Sequence, residues 1–115
     1  HLIFMETVSV KLVIFKEGDK YCGYCPELSW YVNNRTSENE VINVTKEHLC
    51  HELCHRVRYD NLKLYGWEVS ENSAKPPIFA NEEAISLTEQ LYEAKIVEPK
   101  VIEVNVGLPD AKNLW

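Results

Sequence analysis

The stretch HLCHELCHRV holds the side chains of this chain that are best suited to catalysis. His51 and His55 are four residues apart, so on a helix both imidazoles lie on one face, where they can bind Zn²⁺. Glu52 is placed as in the H-E-x-x-H pattern of zinc peptidases, in which this glutamate activates the metal-bound water. A catalytic zinc ion normally has a third protein ligand, and Glu82 or Glu83 on a downstream helix could supply it.

The same pattern also has a simpler interpretation. Three fixed positions in five residues arise often by chance in a chain with four His and many Glu, and such a helix face is usually solvated. We therefore predict no catalytic residue, no metal and no cofactor. The alternative is a small zinc-dependent hydrolase that uses Glu52 as the base and His51, His55 and Glu82 as metal ligands.

The four cysteines offer a second metal site. Cys22 and Cys25 have the C-x-x-C spacing of zinc sites, and Cys50 and Cys54 would add two thiolates. However, residues three apart on a strand point to opposite faces unless the strand bends at Gly23. Cys50 falls on the apolar side of its helix, and no third group orients Cys54 for nucleophilic catalysis. The spacing favours buried free thiols that pack as small hydrophobic groups.

The elements that must position these residues follow from hydrophobic periodicity and turn signals. We predict strands at 8–18, 20–25 and 28–34, a helix at 37–64, a strand at 67–72, a helix at 82–95 and a strand at 100–108. Ser37 and Glu40 form a capping box at the start of the long helix, and Gly66 ends it. The predicted fold is a single α+β domain of order β-β-β-α-β-α-β, an antiparallel three-stranded meander followed by a long helix packed on the sheet, then strand-helix-strand.

Two faces of the long helix follow from a rotation of about 100° per residue. The apolar face, which is expected to lie on the sheet, holds Ile42, Leu49, Cys50, Leu53, Val57 and Leu64. A separate polar face holds His48, His51, Glu52 and His55. The side chains of the zinc-like pattern are therefore expected to face solvent.

Length and charge narrow the class of protein. The chain has 115 residues, a formal net charge of −6 and 45% hydrophobic residues, which fit one domain with one core. An acidic domain is poorly suited to contacting phosphates, whereas a basic protein is a suitable partner. No apolar run approaches the ~20 residues that cross a bilayer, and no signal peptide is visible. We expect a cytoplasmic protein with no membrane contact.

Residues 11–69 resemble the N-terminal domain of HicB-like antitoxins. In KLVIFKEGDKYCGYCPELSWYVNNRTSENEVINVTKEHL, the segment PEL matches the family's PeL motif, and SENEV aligns without a gap with its helix start T-x-x-E-A. KEHL falls on a stretch usually like k-E-A-l, and NLKLYGWEV resembles the helix end and return strand. The chain departs from the family at Arg35-Thr36, where the family has Gly-Asp, and at Ser29-Trp30, where it has a small or Pro-Gly pair. The resemblance covers about half of the chain.

The resemblance implies a sheet-plus-helix domain similar to a reduced RNase H fold without its catalytic carboxylates. It implies a protein-binding member of a toxin-antitoxin system, whose usual partner is a small basic RNA-cleaving toxin of the HicA type, or an orphan relative of uncharacterised role. The acidity of this chain suits such a partner.

The resemblance also divides the chain into three segments. Residues 1–7 are expected to be an N-terminal arm or a remnant of expression, 8–69 the HicB-like domain, and 70–115 an extension of one helix and one strand packed on the same domain. Helix-turn-helix modules need two helices and ribbon-helix-helix modules a strand and two helices, so DNA binding is not supported. An unpaired edge strand invites pairing, and we expect a homodimer.

Overall fold

The computed structural model describes residues 4–71 and 73–109. Its elements are, in chain order, β1 (Phe4–Glu17), β2 (Lys20–Cys25), a 3-10 turn (Pro26–Leu28), β3 (Trp30–Arg35), α1 (Glu38–Cys54), α2 (Arg56–Asn61), a second 3-10 turn (Leu62–Tyr65), β4 (Glu68–Val69), β5 (Ala74–Lys75), α3 (Asn81–Tyr92) and β6 (Lys100–Pro109). Four strands form one antiparallel sheet in the order β3-β2-β1-β6. The predicted single α+β domain is confirmed, as is the broad order of its elements.

β1 is a central strand of the sheet because it has a partner on each side. It pairs with β2 from Val13 to Glu17 and with β6 from Phe4 to Ile14. Gly18 makes the turn into β2 with a φ of +66°, which glycine adopts without a Cβ clash. The hairpin is visible in the sequence, but the pairing of β1 with the distant β6 is not.

Alternate residues of β1 point to opposite faces of the sheet, and a helix covers each face. Leu12 and Ile14 lie in the larger core, which α1 covers. Val13 and Phe15 lie in a second, smaller core with Ala84 of α3. The sheet therefore stands between α1 and α3, and side chains on these two helices are kept apart.

The start of α1 follows the predicted cap in part. The Ser37 hydroxyl accepts a hydrogen bond from the Glu40 backbone N–H at 3.1 Å, as the capping box requires. The Glu40 carboxylate instead accepts from the Thr36 hydroxyl at 2.7 Å and contacts Arg35 at 3.4 Å. Glu40 thus ties the helix start to the end of β3.

The helix predicted over 37–64 is interrupted at His55. This residue has φ −118° and ψ 123°, an extended conformation between α1 and α2. The break turns the chain so that Tyr59 and Leu62 become fully buried in the core under α1. Gly66 ends the helical region with a φ of +90°, as predicted.

Because of this break, the predicted apolar face is partly wrong. The buried residues of α1 are Val41, Thr45, Leu49 and Leu53. Ile42 is half-buried, and Cys50 is exposed. Val57 and Leu64 are 73% and 80% exposed. Val57 and Leu64 fall on the predicted apolar face only if the helix is continuous through them. The residues that α1 buries are spaced four apart and form a narrow stripe, and Cys50 lies outside this stripe.

The C-terminal part of the chain belongs to the same domain. β4 and β5 form a small hairpin in which Val69 pairs with Ala74, so the strand predicted over 67–72 is shorter than expected and β5 is an addition. β6 joins the main sheet beside β1. α3 covers Asn81–Tyr92 instead of the predicted 82–95, and the Glu83 carboxylate accepts the Ala80 N–H at 3.0 Å.

Residues 4–7, which were expected to belong to an N-terminal arm, are part of β1. β1 begins at Phe4, and Glu6 and Thr7 pair with β6. Residues 1–3 and 110–115, which belong to the expected arm and extension, lie outside the described residues. Within the described part of the chain, no helix has both the length and the apolar character needed to cross a membrane.

Gly23 allows α1 to lie close to the sheet, and this predicts the effect of a methyl group there. A Cβ at Gly23 would lie 2.5 Å from Val41 Cγ1 and 3.1 Å from Leu12 Cδ1. We expect Gly23→Ala to lower the free energy of unfolding by about 1–3 kcal/mol through overpacking, measured by urea denaturation. Adding Val41→Ala removes the contacting methyl, so the double variant should cost less than the sum of the single variants. Strict additivity would contradict the contact.

Candidate functional site

The zinc-like pattern lies at the C-terminal end of α1 and at the break that follows it. The rings of His51 and His55 are exposed and their centroids are 4.3 Å apart, so the two imidazoles do come together. Their exposure agrees with the predicted polar face. Glu52 differs from this expectation, because its side chain is only 18% exposed.

Glu52 is occupied by neighbours other than the two expected zinc ligands. Its carboxylate lies 3.6 Å from Nε2 of His48 and 3.8 Å from a guanidinium nitrogen of Arg58. His48 stacks on Trp30 of β3 with 3.8 Å between ring centroids and an angle of 11°. Partial burial lowers the pKa of the His48 imidazole, although the Glu52 carboxylate opposes this shift. The polar face of α1 is therefore bound to β3 and α2, which is a structural arrangement.

The expected third zinc ligand is not brought to the histidine pair. Glu82 and Glu83 lie on α3, and α3 packs on the face of the sheet opposite to α1. Among residues 4–71 and 73–109, no group of three or more His, Cys, Asp or Glu side chains is arranged to hold a metal ion. His51 and His55 thus form a pair of imidazoles without the donor set of a catalytic zinc centre.

The cysteines divide into a buried and a more exposed set. Cys22 lies in the core with α3 and Cys25 in the core with α1, so they point to opposite faces as predicted. Burial raises the pKa of the Cys25 thiol well above its usual range, as does the nearby Glu27. The predicted burial of Cys50 is wrong, since Cys50 is exposed with its sulfur 3.8 Å from that of Cys54.

These positions bear directly on thiol chemistry. Partial burial raises the pKa of the Cys54 thiol, and the neighbouring Cys50 raises it further. A raised pKa disfavours the thiolate that acts as nucleophile or metal ligand. The described cysteines therefore lack the grouping of a four-thiolate zinc site, and the raised pKa values of Cys22, Cys25 and Cys54 disfavour a catalytic thiolate at these three positions.

Glu27 is a buried carboxylate that sequence reasoning missed. It is 3% exposed, yet the sequence marks it only as the middle residue of PEL. One carboxylate oxygen accepts the backbone N–H of Lys11 at 2.7 Å, and the other lies 3.7 Å from the Cys25 sulfur. Its backbone carbonyl accepts the indole N–H of Trp67 at 2.7 Å. A charged residue type usually signals exposure, so a sequence pattern has no means of identifying this one as buried.

Burial disfavours the ionised form of Glu27. Burial raises the pKa of this carboxyl above its usual range, and the Lys11 N–H, the Glu27 N–H and the Lys11 charge offset the shift only in part. Both oxygens already have partners inside the fold. Glu27 is therefore best described as a fixed structural carboxyl that joins β1, the Pro26–Leu28 turn and Trp67.

An open groove on α3 combines apolar and acidic side chains. It has a volume of about 440 Å³ and is lined by Phe79, Glu82, Glu83, Ser86, Leu87 and Gln90. Phe79 and Leu87 are half-buried and supply an apolar floor, while the glutamates are exposed. Residues 81–98 hold five glutamates against one lysine, so the surroundings of this α3 groove are strongly acidic.

Three comparisons with known proteins complete the description of the site. No protein-family model matches the chain, no curated protein matches it, and no solved structure matches it. The HicB-like resemblance therefore stays a prediction from sequence motifs.

The histidines of α1 and of the break that follows it give a test of the zinc hypothesis. We expect His51→Ala and His55→Ala to change the free energy of unfolding by no more than about 0.5 kcal/mol, because both rings are exposed. His48→Ala should cost about 0.5–1.5 kcal/mol, because it removes the stacking on Trp30. Urea denaturation measures all three. A rise in the unfolding midpoint with equimolar zinc that His51→Ala abolishes would contradict a purely structural helix face.

The opposite pKa shifts of Glu27 and Glu40 predict opposite effects of pH on the free energy of unfolding. The pKa of Glu27 is raised by burial, so its ionisation costs more in the folded than in the unfolded state. Wild-type stability should therefore fall, relative to Glu27→Gln, as pH rises above the ordinary carboxyl pKa of 4.5. The pKa of Glu40 is lowered by the Thr36 hydroxyl and Arg35, so wild type should gain stability relative to Glu40→Gln as pH rises from below 4.5, and this gain should level off above 4.5.

The measurement is urea denaturation of wild type and both variants between pH values of about 3 and 7, which covers the Glu40 change below the ordinary carboxyl pKa and the Glu27 change above it. Glu40→Gln serves as the control, because the two differences must change with opposite signs. A Glu27→Gln difference that does not move in favour of the variant as pH rises would contradict the buried carboxyl.

Proposed function

We propose that this chain is a non-catalytic, HicB-like antitoxin-type protein that binds and covers a small basic RNA-cleaving toxin of the HicA type, in the cytoplasm. The observation that carries the proposal is the α3 groove, in which an apolar floor is bordered by exposed glutamates. The motif resemblance of residues 11–69 supports the same class of protein from an independent direction.

The α3 groove suits a lysine or arginine side chain of a basic partner. Such a side chain can lay its aliphatic stem on Phe79 and Leu87 while its charged end reaches the Glu82 carboxylate. Glu83 is partly used by the fold, because it accepts the Ala80 N–H, and this bond holds its carboxylate beside the groove. The acidic surroundings would also attract a basic protein at long range and speed association.

The catalytic alternative is less well supported by the same contacts. A hydrolase needs His51 and His55 to share a zinc ion with a third ligand, and Glu82 lies on the other side of the sheet. Glu52, the expected base, is held by His48 and Arg58. The described geometry thus favours a protein that binds over one that hydrolyses.

Binding is tested with a small basic toxin of the HicA type, purified in a catalytically inactive form. We expect a stable complex with wild type, and a Kd raised about tenfold or more by Glu82→Lys combined with Ser86→Lys, because these changes place positive charge on the α3 groove. The matched control is Asn43→Lys with Glu47→Lys. It makes the same change in net charge at the same spacing on exposed positions of α1.

Calorimetry at two salt concentrations gives the Kd values, and inhibition of RNA cleavage by the active toxin gives a functional readout. Equal weakening by the α3 pair and the α1 pair would show a response to net charge alone and would contradict the groove. Absence of binding by wild type would contradict the antitoxin proposal.

A further inference from the structure

Among the residues that the structure describes, no strand pairs with the outer edge of β6, and the directions of the backbone groups on this edge follow from Lys11. The Lys11 N–H points to Glu27, away from β6, although Lys11 lies directly opposite Glu103. This pair is therefore the non-hydrogen-bonded kind, in which both residues direct N–H and C=O away from each other. Glu103 thus points its backbone outward. Because backbone directions alternate along a strand, the N–H and C=O groups of Val101, Asn105 and Gly107 also point outward.

The two edges of the sheet differ in their capacity to pair with another strand. β3 has six residues, a register shift against β2 between Tyr21 and Gly23, and a φ of +63° at Asn34. Such irregularities blunt an edge. β6 is ten residues long and keeps an unbroken register with β1 from Lys100 to Leu108. No other strand of the described residues pairs with its outer side.

We propose that β6 pairs in antiparallel orientation with β6 of a second copy of this chain, around a two-fold axis at Val104. The two four-stranded sheets would then form one continuous sheet of eight strands. A regular edge of this length, with a single charge between Val101 and Leu108, is the kind that folded proteins cover rather than leave in water. A two-fold axis closes the assembly at two copies, because each edge is used once.

The register around Val104 is self-complementary. Glu103 faces Asn105 of the second copy, and Asn105 faces Glu103 of the second copy, so all outward N–H and C=O groups find partners. On the α1 side of the sheet, half-buried Ile102 meets half-buried Val106 of the second copy. An axis at Glu103 would set two carboxylates directly opposite each other, and an axis at Asn105 would bring Pro109, which has no N–H, into the ladder.

The charge of the chain also favours this edge over other contacts between copies. Two chains of net charge −6 repel each other, so they meet best where the surface carries little charge. Glu103 is the charged residue of this segment, and it faces Lys11 on the neighbouring strand. This pairing goes beyond the toxin-binding proposal, since it uses a sheet edge and leaves the α3 groove open.

Sedimentation of the full chain over a range of concentrations tests the proposal. Wild type should sediment as a dimer that dissociates on dilution. Asn105→Lys should tighten the dimer, because each copy then sets an ammonium opposite Glu103 of the other, and Asn105→Glu should loosen it by setting carboxylates there. We expect the two dissociation constants to differ by about tenfold or more, and the gap to shrink at high salt.

Asn105→Pro gives a second readout, because it removes only an outward N–H and leaves the bonds to β1 intact. It should be monomeric, whereas Asn105→Ala should dimerise like wild type. Asn105, the position changed in all four variants, is exposed in the monomer, and far-UV circular dichroism reports folding. A monomeric wild type at concentrations of about 100 μM would overturn the proposal. So would equal dissociation constants for Asn105→Lys and Asn105→Glu, which would exclude this register.

Discussion

The hydrogen bond from the Lys11 N–H to the Glu27 carboxylate is the contact on which the arrangement of the sheet depends. β1 loses β2 as a partner beyond Val13, because Pro26 ends β2 shortly after Tyr24. A buried N–H left without an acceptor there would cost about 1–3 kcal/mol. The carboxylate takes the place of the missing strand, and the Glu27 carbonyl holds Trp67 at the far end of the helical region. One residue therefore joins the sheet, the turn and the return of the chain.

The two faces of β1 differ in how much of the helix above each of them is held by packing. The α1 side is occupied by the larger core, and its polar face is held by the stack of His48 on Trp30 and by the contacts of Glu52. The α3 side has a smaller core, so that α3 keeps a solvated face with its groove. The histidines of the zinc-like pattern and the glutamates of α3 do not form one site, because the sheet lies between them.

Local signals predicted local features, and distant packing decided the rest. The turn at Gly18, the Ser37 cap and the Gly66 stop were predictable, because each depends on residues within one turn of itself. The break at His55 was not, since no proline or glycine marks it and it serves to bury Tyr59 and Leu62. The exposure of His51 followed from helical phase, whereas the burial of Glu27 came from a contact sixteen residues away in the chain.

The pairing of β1 with β6 also determines when the sheet can be completed during synthesis of the chain. β1 and β6 are far apart in the chain, so their pairing raises the contact order of the fold, and a high contact order slows folding. At ordinary rates of translation, β6 emerges on the order of ten seconds after β1. During that interval one edge of β1 and the apolar residues beside it remain open to chaperones or to misplaced strands. The nascent chain, rather than the finished domain, is the form of this protein most exposed to aggregation.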